Sequence, residues 1–251
     1  MTPEKNRRGE WKKMCQKPLK QRLAYFWDYY KWYAIAAAVL LAVVAVYVGG
    51  LLSEAEDSVY GLLLNTCNML NQQRNEQLAQ DMASEFRREL GRSEKELELT
   101  LDVSRSYDPD SGYYGNYDTL QLILNYSLGG MLDFVVADEA SMLDLAYAGY
   151  FRNLKDLFSE QELEQYSGQL LYVDMAVILK ENESMEAGGP DYPDPRKPED
   201  MEEPVPVFVD VSASDKIGQL YSEGKNVFFA IVGKDSRGYA RAFLNYLLGQ
   251  K

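Results

Sequence analysis

The run "YAIAAAVLLAVVAVYVGGLL", residues 33–52, contains no charged residue. Twenty helical residues rise about 30 Å, the thickness of a bilayer's hydrocarbon core. A buried core helix rarely runs this long without a polar residue, so the run predicts one transmembrane helix. Beyond residue 53 the pattern changes to short apolar runs alternating with helical stretches. "VYGLLLNT" (59–66) reads as a strand. "EQLAQDMASEFRREL" (76–90) carries Leu78, Met82, Phe86 and Leu90 on one helical stripe, and Gly91 stops it. "LELTLDVS" (97–104) alternates, as a strand with one solvated face does.

A polar loop follows at 106–118, and "TLQLILNYSLGG" reads as a helix closed by Gly129 and Gly130. "LDFVVAD" (132–138) is a third strand, with Asp138 placed to cap the helix "EASMLDLAYAGYF". "LLYVDMAVIL" (170–179), "VPVFVDVS" (205–212) and "KNVFFAIVG" (225–233) complete six strands. The last leads into "DSRGYARAFLNYLLG", with Ser236 as cap and Gly249 as stop. Strands alternating with helices predict an α/β fold: a single three-layer α/β/α domain over 53–251 with a mostly parallel sheet.

One stretch breaks the alternation. Residues 180–206 hold nine acids, three bases and six prolines, which excludes a helix or a central strand. The segment reads as an extended, exposed connector, or as a Pro-rich segment that binds a partner.

Charge orients the chain. Residues 1–32 carry nine Lys/Arg against three acids, a net +6; the remaining 17 bases and 36 acids give −19. The positive-inside rule places 1–32 in the cytoplasm and 53–251 outside the cell membrane. The aromatic stretch ahead of the span (Tyr25, Phe26, Trp27, Tyr29, Tyr30, Trp32 and Tyr33) then forms the inner interfacial belt. Lys31 snorkels to the headgroups. The basic region is too long for a cleaved signal peptide, and no Cys follows the apolar run as a lipoprotein anchor requires, so the span is an uncleaved signal anchor. Cys15 and Cys67 fall on opposite sides of the membrane and cannot pair within one chain. The acidic bulk excludes nucleic acid as a partner.

Candidate chemistry is sparse. The chain has no histidine, no Gly-rich phosphate loop and no nucleophile elbow, so it reads as no enzyme and implies no cofactor and no metal. Ligands of open α/β sheets sit beyond the carboxyl ends of the strands. Those ends are Asn65–Thr66, Asp138–Glu139 and Gly233–Lys234–Asp235, the candidate ligand-binding rim. Asp138 as a simple cap and Gly233 as a simple turn are the alternative. Asp108, Asp110, Asn116 and Asp118 offer oxygen ligands but lack the spacing and closing Glu of a calcium loop, which favours a solvated turn. Tyr107, Tyr113, Tyr114 and Tyr117 beside them either stack on a sugar or pack on the domain.

Two stretches, "GGMLDFVVADEASMLDLAYAGYFRNLKDLFSEQELEQYSGQLLYVDMAV" (129–177) and "NVFFAIVGKDSRGYARAFLNYLLG" (226–249), resemble extracellular solute-binding proteins of the maltose type. The resemblance rests on a Leu-Asp strand ending in a polar residue and on a helix ending near a Gly. A short Asn153–Leu157 segment and a late strand with an Ala-x-x-Phe-Leu helix complete it. It covers about a third of the chain. It implies a domain like one lobe of a type 2 solute-binding protein. The chain also resembles a group of uncharacterised single-span bacterial proteins with a "DPxxPExM…PVPV" stretch, here Asp194 to Val207. Where the second lobe belongs, after Leu179, only the acidic Pro-rich loop stands, and one lobe cannot clamp a solute. The expected function is therefore a membrane-anchored, non-catalytic binding domain for a protein partner or an envelope component. The alternatives are a small-solute-binding component of a transport system and, last, an envelope hydrolase.

Overall fold

The computed structural model describes residues 32–33, 35–44, 57–67, 72–178, 192–235 and 237–250. The chain divides into two compact units, Met1–Glu54 and Ala55–Lys251. In the first, residues 32, 33 and 35–44 are helical, and every one of them is exposed. Among the described residues no helix is long and apolar enough to cross a membrane. The rest of the predicted span, the belt residues Tyr25 to Lys31, and Cys15 lie outside the described residues.

The second unit is an α/β domain on a six-stranded mixed sheet. The strands are β1 (Asp57–Leu63), β2 (Leu97–Asp102), β3 (Phe134–Asp138), β4 (Leu170–Asp174), β5 (Pro204–Asp210) and β6 (Val227–Ile231). The helices are α1 (Gln72–Glu89), α2 (Gly112–Gly115), α3 (Tyr117–Leu128), α4 (Glu139–Tyr147), α5 (Glu160–Gln165) and α6 (Tyr239–Leu248). Spatial order is β2-β1-β3-β6-β5-β4.

The expected mostly parallel sheet is corrected. β2–β1 and β1–β3 are parallel, whereas β3–β6, β6–β5 and β5–β4 are antiparallel. The connections explain the split. α1 joins β1 to β2, and α2 with α3 joins β2 to β3; such helical crossovers return the chain to the same end of the sheet. β4 and β5, and β5 and β6, run in opposite directions, so the chain reverses across each of those connections.

Each face of the sheet carries its own core. On one, Phe86 of α1 and Phe243 of α6 pack with Phe134 and Phe229. On the other, Ile123 of α3 and Met142 and Leu145 of α4 pack with Val135, Phe208 and Phe228. Consecutive residues alternate between the two cores: Leu63 belongs to the first, Leu62 and Leu64 to the second. Gly61 sits where a Cβ would lie 2.2 Å from the Phe134 ring, so the close approach of that ring to β1 requires glycine.

Candidate functional site

Three parallel strands deliver their carboxyl ends to one place, and Asn65 ties them together. It follows β1 with φ 57°, a left-handed conformation that Asn tolerates better than most residues. Its Nδ2 donates to Tyr107 O at 2.7 Å, Asp138 Oδ2 at 2.7 Å and Ser141 Oγ at 2.9 Å. Its Oδ1 accepts from Tyr107 N at 2.8 Å. Asp138 caps α4 by accepting from Ser141 N at 3.3 Å. Tyr107 is buried and its hydroxyl donates to Asp144; burial, then that hydrogen bond, push its ionisation far up. Next to the knot Thr66 is buried, donating to Val103 O at 3.2 Å.

Glu139, the first residue of α4, receives a fork from Arg196: Nη1 to Oε1 at 2.7 Å and Nη2 to Oε2 at 3.1 Å. Asn226 Nδ2 adds a third hydrogen bond at 2.6 Å. The Arg196 hydrogen bond, ahead of the opposing effect of burial, holds the Glu139 carboxyl below the usual glutamate range.

Asn65, Thr66, Asp138 and Glu139 thus gather at one edge. Gly233, Lys234 and Asp235 do not join them, and the single rim is corrected. β6 runs antiparallel to β3, with Val227 level with Asp138 and Ile231 level with Phe134, so its carboxyl end emerges at the opposite edge. There Asp235 caps α6, accepting from Ala240 N at 2.9 Å and Arg241 Nε at 3.0 Å. The expected cap, Ser236, lies outside the described residues. Gly233 lies close against the backbone carbonyl of Leu132, and Lys234 is exposed.

The described part of the acidic Pro-rich segment, 192–203, is mostly exposed, as a connector is, but it is pinned along the domain as a strap. Tyr192 stacks on Tyr147, ring centroids 4.1 Å apart. Tyr172 N, at a bulge in the edge strand β4, donates to Pro195 O at 2.8 Å. Asp174, 5% exposed, accepts from Ala176 N at 3.1 Å and from Glu202 N and Glu203 N at 2.9 Å. Arg196 also lies over the Phe228 ring, 5.5 Å from its centroid. The strap covers an edge strand that would otherwise template pairing. Residues 180–191 lie outside the described part.

The Arg196–Glu139 pair is half-exposed and contributes under about 1 kcal/mol. Arg196→Ala is expected to leave the unfolding midpoint nearly unchanged while speeding proteolytic cleavage of the strap several-fold. Because the folded carboxyl titrates below the unfolded value of about 4.3, the clamp contributes fully above that pH and is lost as pH falls through the lower folded value. Limited proteolysis of the wild type at pH 7 and pH 3.5 with an acid-active protease checks the sign: the strap must cut faster in acid, and Arg196→Ala must blunt the difference.

The loop at 108–118 is held by its own side chains. Asp108 N donates to Asn116 Oδ1 at 2.9 Å, and Asn116 Nδ2 returns to Asp108 O at 2.7 Å and Gly112 O at 2.9 Å. Among the described residues no group of three or more His, Cys, Asp or Glu is arranged to hold a metal. Tyr107 is core, but Tyr113, Tyr114 and Tyr117 form an exposed aromatic cluster with centroids 5.6–5.7 Å apart. Tyr114 is 92% exposed. Beside them an open groove of about 540 Å³ is lined by Ser104, Arg105, Ser106, Asn116 and Asp118 as well as Tyr114 and Tyr117.

A pit of about 20 Å³ shares Ser104 and Arg105 with that groove and reaches Thr66 and Asn75. Asn75 is 1% exposed and its Oδ1 has no hydrogen-bond partner, nor has Arg105 Nε. The amide orientation follows from its partners, since Nδ2 donates to Cys67 O at 2.6 Å and Thr66 Oγ1 at 3.0 Å. Asn75 and Arg105, whose Nε lies 3.8 Å from Asp102 Oδ2, both line the pit, and a space of this size suits one water or one polar group of a ligand. Asn75 carries no local signal; Asp174 does, a polar residue closing an apolar run at the start of a helical turn, as at Asp138.

No protein-family model, no curated protein and no solved structure matches the chain.

Proposed function

We propose that the chain is a single-pass membrane protein whose acidic α/β domain is displayed outside the cell and works by non-catalytic binding of a protein partner or an envelope component. The strand-end carboxylates and amides spend their hydrogen bonds on one another and on the strap, so Asn65, Asp138 and Glu139 act as scaffold. The observation that carries the reading is the groove beside them: open, polar, and flanked by three exposed tyrosines with no core to fill. Aromatic faces with a polar floor suit a glycan or an extended peptide. The ten apolar, exposed helical residues 35–44 support the anchor. The helices on both sheet faces support a domain like one lobe of a solute-binding protein.

Protease added to intact cells is expected to remove the C-terminal domain and spare the first 32 residues; survival of the domain sinks the topology. Tyr114→Ala with Tyr117→Ala is expected to abolish retention on isolated cell envelopes without moving the unfolding midpoint. Unchanged retention moves the binding face elsewhere.

The volume of the groove, about 540 Å³, also suits a small molecule and supports a second reading, a small-solute component of a transport system. A saturable rise of several degrees in the unfolding midpoint with millimolar sugars, amino acids or short peptides would select it. No shift leaves the macromolecular reading.

A further inference from the structure

The edge of the sheet opposite the knot carries an exposed apolar corner. α3 ends there, with Leu128 80% exposed and Met131 53% exposed. β1 begins there at Asp57, and β6 ends there, with Gly233 against the Leu132 carbonyl and Lys234 exposed. Arg152 joins them, its N and Nε donating to the carbonyls of Ile231 and Val232 at 3.0 and 3.3 Å.

Three carboxylates at this edge have partners. Asp57 pairs with Arg237 and accepts from Tyr239, Asp235 pairs with Arg241, and Asp133 accepts from Tyr60 N. Lys234 and Arg152 form no ion pair among the described residues and are exposed, so they are surplus cations at the same edge as Leu128 and Met131. The other end of α3 is acidic and polar, with Asp108, Asp110 and Asp118 exposed.

We propose that this corner rests on the outer leaflet of the membrane, Leu128 and Met131 in the interface and Lys234 and Arg152 among the phosphates. The proposal rests on the anchor reading above. Its second support is chain length. Four residues, 53–56, separate the predicted span from Asp57, and a fully extended chain of four covers only about 14 Å. Apolar side chains rimmed by cations are the pattern of an interfacial contact. The knot, about 23 Å along β1 from Asp57, then faces away from the bilayer, as do the tyrosine groove and the acidic end of α3.

The test uses the full chain with Cys15→Ser and Cys67→Ser, reconstituted in phosphatidylethanolamine–phosphatidylglycerol vesicles. Single cysteines replace Leu128 or, as control, Asp118 near the other end of the same helix, about 15 Å away. Each carries an environment-sensitive fluorophore, and the vesicles contain lipid spin-labelled near the headgroup. Quenching is expected to be several-fold stronger at position 128 than at 118, and Lys234→Glu should reduce it. Equal quenching, the reverse order, or none at either position overturns the proposal. Carbonate extraction separates the two ideas. Protein retained after the wash with position 128 unquenched sinks the docking alone; protein stripped by the wash sinks the anchor, and the docking with it.

Discussion

Phe243→Ala will unfold the domain at markedly lower denaturant than wild type, with a loss of about 3–5 kcal/mol. Phe243 is fully buried on α6. Its ring stacks on Phe134, centroids 4.7 Å apart and planes 19° apart, and meets Phe86 edge-on at 5.1 Å. Phe134 in turn stacks on Phe229 at 5.0 Å. Truncation removes one member of a stack that joins α1, α6, β3 and β6. The neighbours cannot collapse into the space, because the Phe134 ring is already wedged against Gly61. A domain of this size holds about 5–15 kcal/mol in all, so the loss takes a large share of it. Guanidinium unfolding followed by near-ultraviolet circular dichroism measures the effect. Tyr114→Ala, at an exposed ring, is the control and should stay within about 0.5 kcal/mol of wild type. A loss under 1 kcal/mol for Phe243→Ala would mean that α6 does not pack on this face.

That stack shows what the sequence exposed and what it hid. The six apolar runs were visible because strands this deeply buried leave little room for charge. α6 was visible because Ala240, Phe243, Leu244 and Leu247 repeat at helical spacing. Strand direction was not visible. β6 is buried along its whole length, "VFFAI", and such a run reads the same whichever way its neighbours point. Direction is set by the connections, and neither the Pro-rich segment before β5 nor the loop before β6 says which way the next strand runs. That single ambiguity moved Gly233, Lys234 and Asp235 to the wrong end of the sheet. Asp138 was legible as a cap because capping is local. Its bond to Asn65 spans 73 positions, and no local rule reaches that far. The strap failed for a related reason. Six prolines and nine acids argue against helix and central strand, yet Pro204 to Pro206 open the interior strand β5, and Tyr192, Arg196 and Met201 find their partners on α4, β6 and the core, all remote in sequence.

The Asn65 knot supplies the second large effect, because two separable terms act at one residue. Asn65→Gly removes the side chain but keeps a residue at ease with φ 57°. It leaves Tyr107 N without its side-chain partner in a buried setting, and leaves Tyr107 O and Asp138 Oδ2 with only the Ser141 hydroxyl to share. At about 1–3 kcal/mol for a buried group left unmet, the loss should be about 3 kcal/mol. Asn65→Ala removes the same bonds and also forces a Cβ into the left-handed region, adding about 1–2 kcal/mol. Alanine must therefore be the worse of the two, the reverse of the usual order in a strand or helix. Asn65→Asp keeps an acceptor for Tyr107 N but sets a second carboxylate against Asp138, which raises the folded titration of the pair above the unfolded value. Its stability is then greatest below about pH 4 and declines as pH rises through the raised folded value. Urea unfolding of the three variants at pH 4 and pH 7 reads all of this. If Gly and Ala are equal and both lie within about 0.5 kcal/mol of wild type, the strand ends are not held by Asn65. The carboxyl edge of the sheet would then be free to reorganise around a ligand, and its assignment as scaffold would fail.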